Sequence, residues 1–114
     1  MENCLFCKII SGDIPSSKVY EDELTFAFRD INPQAPVHVL VVPKQHIASV
    51  AAVDEAGDEV IAACIRTCRK VAQLEGLTES GFRVVSNCGD DACQSVKHLH
   101  FHVLGGRKMT DMMA

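Results

Sequence analysis

His98-Leu99-His100-Phe101-His102-Val103-Leu104 is the stretch on which the reading of this chain turns. On a strand, side chains alternate between two faces, so the three histidines share one face and Leu99, Phe101 and Val103 the other, with successive imidazoles about 6.7 Å apart. A single strand histidine is usually a surface residue or a satisfied core group. Three in alternation, in a chain with 5 histidines altogether, ask for another explanation. Lysine or glutamate would supply a polar stripe equally well, whereas imidazole works near neutral pH as nucleophile, proton carrier or ligand. The pattern predicts a chemical site built on a strand.

On either side of this stretch, turn residues divide the chain into short elements. Gly81 to Ser86 reads as a strand. Val37 to Val42, bracketed by Pro36 and Pro43, reads as a strand buried on both faces except at His38. Lys18 to Glu21 and Leu24 to Arg29 read as a hairpin turning through Glu21-Asp22-Glu23. Asp54 is placed as the cap of a helix running to about Glu75, with Gly76 as its stop. Its apolar stripe is Val60, Ile61, Cys64, Ile65, Cys68, Val71, Ala72 and Leu74. Residues 4 to 10 read as a short helix ended by Ser11-Gly12-Asp13 and Pro15. Together these predict an α+β fold: a mostly antiparallel five-stranded sheet, one long helix and a short N-terminal helix.

The 114 residues suit one domain, expected to span 1–114. With 47% hydrophobic and 23% charged residues the chain has an ordinary globular balance. Eleven Lys and Arg against 15 Asp and Glu leave a net charge of -4, which argues against long nucleic acids as partners. The start lacks a basic region followed by an apolar one, and no 18 apolar residues run together. Neither export nor a membrane span is expected, and a cytoplasmic location is. Six cysteines are then expected to be thiols or metal ligands. Cys64 and Cys68 share a helix face with Val60, Ile61 and Val71 and read as core. Cys88 and Cys93 flank the turn Gly89-Asp90-Asp91-Ala92, and only Cys4-x-x-Cys7 has ligand spacing.

The histidine stretch resembles the histidine triad (HIT) family, whose pattern His-φ-His-φ-His-φ-φ, with φ apolar, is matched without a gap. The resemblance extends through Cys4-Leu5-Phe6-Cys7-Lys8-Ile9-Ile10, Ile14-Pro15, Phe28 to Pro36, His38-Val39-Leu40, Pro43-Lys44-Gln45-His46 and Gly89 to Gln94-Ser95-Val96, and it points to the Hint branch. It implies the HIT-like fold and a homodimer with one sheet continuous across two subunits. It also implies hydrolysis at the α-phosphate of purine nucleoside phosphoramidates or related AMP or GMP conjugates, through a covalent nucleotidyl-histidine. By matching position His100 is the nucleophile, His102 and His38 orient it and touch phosphate, and Ser95 is the hydroxyl beside the scissile bond. Asn87 and the backbone around Gln94 hold phosphate oxygens, and Asp30 accepts the ribose hydroxyls. Leu5, Phe6, Ile9, Ile14, Phe28, Ile31 and Leu40 form an apolar slot for the base. Taken singly, Asp30 reads as a turn residue, Asn87 as a loop amide and the apolar set as core. Two departures stand out. Cys93 in the phosphate loop occupies a position where the Hint branch usually carries glycine. The tail from Arg107 to Ala114 lacks the tryptophan and prolines of closer relatives.

Cys4, Cys7, His46 and His98 form a second constellation, able to close a tetrahedral Cys₂His₂ zinc site that staples the amino terminus to two strand ends. Four protein ligands leave no open position, so that zinc is structural. A redox Cys-x-x-Cys and a pair of free thiols are the competing readings; the first usually opens a helix after a strand, and no strand precedes Cys4. Three functions compete with the phosphoramidase. Dinucleoside polyphosphate hydrolysis shares the His100 chemistry, although Gln94-Ser95-Val96 inclines to the phosphoramidase branch. A nucleotide-binding scaffold with incidental turnover shares the site. A zinc-finger-like nucleic-acid module conflicts with the acidic balance.

Overall fold

The computed structural model describes residues 3–113; Met1, Glu2 and Ala114, at the ends of the expected domain, lie outside them. Helix α1 (Leu5–Ser11) leads into strands β1 (Lys18–Glu21), β2 (Thr25–Arg29) and β3 (Val37–Pro43). Helix α2 (Asp58–Leu74) is followed by β4 (Arg83–Val85) and β5 (Phe101–Gly105), with 3-10 turns at Val50–Glu55 and Asp90–Ala92. Every strand pairing is antiparallel, and the order across the sheet is β1-β2-β3-β5-β4. This is the α+β architecture expected from the sequence.

Period-2 alternation divides the sheet into two apolar faces. Ala27, Val39, Val41, Leu99, Phe101 and Val103 pack with Val60, Cys64, Cys68 and Val71 of α2. Phe26, Phe28, Leu40 and Val42 pack on the other face with Phe6 and Ile9 of α1. Each Val, Leu, Ile or Phe side chain among them, fully buried, contributes about 1.5–3 kcal/mol. Because Leu99, Phe101 and Val103 belong to the α2 face, His98, His100 and His102 fall on the α1 face. There the Phe6 ring stands edge-on to His100, with centroids 5.0 Å apart.

Several expectations change in detail. The alternation of residues 98 to 104 holds, but the paired strand begins at Phe101. Continuing the register beyond Val41 and Phe101 sets Pro43 opposite Leu99. Proline has no N–H for the ladder, and the Leu99 N–H turns to the Ile47 carbonyl at 2.6 Å. Asp54 does not cap the long helix. Ser49 Oγ accepts the Ala51 N–H and starts a separate 3-10 turn containing Asp54, extended Ala56 and Gly57 follow, and α2 begins at Asp58. Asp58 and Glu59 place negative charge in its first turn, where the helix dipole favours it. Gly76 ends the helix as expected, at φ +73°, with the Leu77 N–H reaching back to the Ala72 carbonyl. Cys64 and Cys68 are core, whereas Ile65 and Leu74 of the expected stripe are exposed. Thr67 takes the buried position, its hydroxyl 2.8 Å from that of Thr25. His38, expected as the one open position on β3, is buried with its neighbours.

Candidate active site

Each histidine on the α1 face is held by a partner that decides which ring nitrogen carries the proton. The Gln34 N–H donates to His38 Nδ1 at 3.0 Å, leaving the proton of the neutral ring on Nε2. That Nε2 donates to His102 Nδ1 at 2.8 Å and lies 3.4 Å from Asp30 Oδ2. His102 Nδ1 is thereby an acceptor, and its proton sits on Nε2, a buried atom without a hydrogen-bond partner. His100 Nδ1 donates to the His98 carbonyl at 2.7 Å, so the lone pair of His100 is on Nε2. His98 Nε2 donates to the Pro43 carbonyl at 2.9 Å, which turns its own lone pair, on Nδ1, toward Cys4 and Cys7.

Burial keeps these rings neutral. It lowers the pKa of His38, His98 and His100 below the ordinary histidine value. His102 is pushed down to about 4 by burial and then by the neighbouring His100 and His38. A neutral imidazole keeps the lone pair that nucleophilic attack requires.

Phe6, Ile9, Phe28 and Leu40 line a cavity of about 330 Å³ together with Leu5, Ile14, Asp30, Ile31, Ser95, His100 and His102. The apolar set, the acid and two of the three expected imidazoles therefore meet in one place. Ile31 is fully exposed at the rim. His38 stands behind His102 and off the wall. Asn87, Cys93 and Gln94 are also off it. The Gln94 side chain is engaged, its Oε1 accepting the Gly89 N–H and its Nε2 donating to the Ala48 and Val96 carbonyls, which ties the loop down. Cys93 has φ +61° and is the one residue other than glycine with positive φ among the described residues. Asp30 is a turn residue as well as a wall residue, since its Oδ1 accepts the Asn32 N–H at 2.8 Å.

The cavity also takes in Pro15, Ser16, Arg29 and Val96, to which sequence reasoning gave no role in the site. Pro15, Arg29 and Val96 adjoin Ile14, Asp30 and Ser95, and that adjacency was the available signal for them; Ser16 lies two residues from Ile14 and had none. Nothing in the sequence pointed to Ser86, whose hydroxyl donates to the His100 carbonyl at 2.7 Å.

The second constellation also assembles. Ligand atoms of Cys4, Cys7, His46 and His98 all lie within 4.8 Å of one another. Cys4 Sγ is 3.2 Å from His98 Nδ1, and Cys7 Sγ is 3.5 Å from His46 Nδ1. The donor set and the His98 ring, fixed from behind by the Pro43 carbonyl, have the character of a four-coordinate metal site with an oriented ligand. Burial, and then the adjacent Cys4, push the Cys7 thiol up to about 11. The pair would ionise to two thiolates only with a cation between them. Asp30, His38 and His102 form another close group, but one closed by hydrogen bonding.

An antiparallel sheet carrying a row of oriented imidazoles beside an apolar cavity defines an α+β protein of the histidine-site class. A family model described as HIT domain matches residues 11–109, and the chain belongs to that family. It is 50% identical over 107 residues to the 14 kDa zinc-binding protein of Zea mays, covering 92% of this chain and 83% of that one. It is 42% identical over 113 residues to the purine nucleoside phosphoramidase of Escherichia coli K12, covering 99% and 95%. The solved structure of a HIT family hydrolase from Clostridium thermocellum superposes with a TM-score of 0.96 at 46% identity, covering 100% of this chain and 99% of that one. The resemblance carried by His98 to Leu104 is thus borne out.

Proposed function

We propose that this HIT protein hydrolyses purine nucleoside phosphoramidates at the α-phosphate through a nucleotidyl group carried transiently on His100. The observation that carries the reading is the 2.7 Å bond from His100 Nδ1 to the His98 carbonyl, which leaves the Nε2 lone pair free on a neutral ring at the cavity wall. The relatives named purine nucleoside phosphoramidase and HIT family hydrolase support it.

In the first step a bond forms between His100 Nε2 and phosphorus as the P–N bond breaks and the departing amine takes a proton. The Ser95 hydroxyl, on the same cavity wall, relays that proton, giving its own to the amine as it takes another from solvent water and so ending the step as a hydroxyl, a transfer worth roughly 10² to 10⁴-fold in general acid–base catalysis. His100 becomes cationic, and its Nδ1–H strengthens its bond to the His98 carbonyl. The unpartnered His102 Nε2–H is available to a phosphoryl oxygen. Water then attacks phosphorus opposite the new P–Nε2 bond, which breaks to release nucleoside monophosphate and a neutral ring, while the proton shed by the water returns to solvent. Asp30 takes the ribose hydroxyls and the apolar walls hold the base. Asn87 and the backbone at Cys93 and Gln94 serve the phosphate from the loop.

Cys4, Cys7, His46 and His98 are the residues that would hold zinc, which would tie α1 to the ends of β3 and β5 with no open position for chemistry. A homodimer is the proposed assembly. The free edge of β4 carries half-exposed Val84 beside Phe82, and Ile65 and Leu74 of α2 are also exposed, which supports a shared sheet. A cytoplasmic setting is favoured by the free cysteines, and no helix among the described residues is long and apolar enough to cross a membrane.

Turnover assays on adenosine phosphoramidate and a diadenosine polyphosphate test the reading. The phosphoramidate should be cleaved faster. Preference for the polyphosphate would move the assignment to that branch, and binding without turnover of either would leave a nucleotide-binding protein.

A further inference from the structure

A groove of about 860 Å³ is lined by Asn3, Cys4, Leu5, His46, Ser95, Val96 and Lys97. It shares Leu5, Ser95 and Val96 with the smaller cavity that holds His100. At about 330 Å³ that smaller cavity is at the low end for a small-molecule site, and a nucleotide leaves little room beyond its phosphorus. The rest of the substrate must continue past the shared wall at Ser95. We propose that the groove receives the leaving group and that Lys97 selects leaving groups bearing a carboxylate. This inference rests on the phosphoramidase reading.

The groove's charge points the same way. Lys97 is its one fixed cation, and no carboxylate lines it among the described residues. Lys97 Nζ donates to the Gln94 carbonyl at 2.8 Å, which holds the ammonium in place. Its ion partner Asp90 is 2.9 Å away with a side chain 96% exposed. Such a surface pair is weak and yields to an incoming carboxylate. The Asn3 amide and the Ser95 hydroxyl add neutral hydrogen-bonding groups but no opposing charge.

The test compares two adenosine phosphoramidates, one of glycine and one of glycinamide, in the wild-type protein, Lys97→Gln and Lys97→Glu. Amine basicity differs between the two compounds, but that difference is common to all three proteins and cancels in the comparison. The ratio of kcat/KM for the glycine compound to that for the glycinamide compound should fall about two- to fivefold in Lys97→Gln, the range of an exposed ion pair, and further in Lys97→Glu. Thermal unfolding checks that each variant is folded. If both compounds are cleaved and the ratio is the same in all three proteins, Lys97 does not read the leaving group and the inference fails alone. If the folded wild-type protein cleaves neither compound, the phosphoramidase reading fails, and the inference falls with it.

Discussion

The carbonyl oxygen of His98 lies 2.7 Å from Nδ1 of His100, while the His98 ring presents its own Nδ1 to Cys4 and Cys7. One residue thus serves the candidate metal cluster with its side chain and the proposed nucleophile with its main chain. The two functions can be separated by substitution. His98→Ala keeps the carbonyl but removes a ligand, so it should lose bound zinc and lower Tm, with turnover reduced only secondarily. His100→Ala should keep zinc and Tm near wild type while turnover falls at least about 10³-fold. Metal analysis, thermal unfolding and a turnover assay decide between these patterns. A wild-type protein prepared in excess zinc that binds none would remove the metal site, and His98 would be left as a hydrogen-bonding neighbour of His100.

Cys93 holds a left-handed backbone conformation at φ +61°. A side chain there costs roughly 1–2 kcal/mol, partly offset by the greater chain entropy that glycine loses on folding. Cys93→Gly should therefore raise stability by up to about 1 kcal/mol, and Cys93→Val should lower it, because a branched Cβ fits that region worst. Denaturant unfolding of the two variants measures both signs. A less stable glycine variant would mean that the thiol contributes contacts outweighing the strain.

Much of the site was legible because its residues sit on regular elements. Alternation alone put His98, His100 and His102 on one face, and the pairing of β3 with β5 then brought His38 to His102. The ladder's early end at Pro43 was foreseeable only with the register in hand, since one proline is decisive only opposite a particular partner. Main-chain partners were not legible at all. Gln34 on His38, Pro43 on His98 and Ser86 on His100 act through backbone atoms or from loops, and loop geometry leaves no periodic trace. Gln94 shows the same limit. Its position in the loop was apparent, but its side chain turns inward to Ala48, Val96 and Gly89 and contributes by holding the loop. The misplaced start of α2 has a similar origin, because Ser49 and Asp54 are both good capping residues and only the extended Ala56-Gly57 step separates the 3-10 turn that holds Asp54 from α2.

Protonation of the buried histidines should make stability depend on pH. His102 is lowered from 6.5 to about 4 in the folded protein, and His38 and His100 move in the same direction. As pH falls below 6.5 the unfolded chain takes up protons that the folded one refuses, so stability is full above that pH and is lost toward 4. Tm followed through that window in the presence of a chelator should fall steadily, and His102→Asn should flatten the slope. A Tm that stays level would contradict the burial of neutral rings.

Asp30 is assigned to the ribose hydroxyls. Hydrogen bonds to a charged acceptor contribute about 1.5–3 kcal/mol, so Asp30→Asn should raise KM for a ribonucleoside phosphoramidate by roughly 10- to 100-fold. The 2′,3′-dideoxy analogue should lose far less. Equal losses on both substrates would assign the effect to His38, whose Nε2 lies 3.4 Å from Asp30 Oδ2, and not to the sugar.

Rapid mixing with a purine nucleoside phosphoramidate, followed by a quench that avoids acid, should capture protein one nucleotidyl group heavier, with the added mass mapped to the peptide bearing His100. A substrate chiral at phosphorus should give overall retention, the outcome of two successive inversions. An adduct on another residue, or net inversion with no adduct during active turnover, would contradict attack by His100 Nε2.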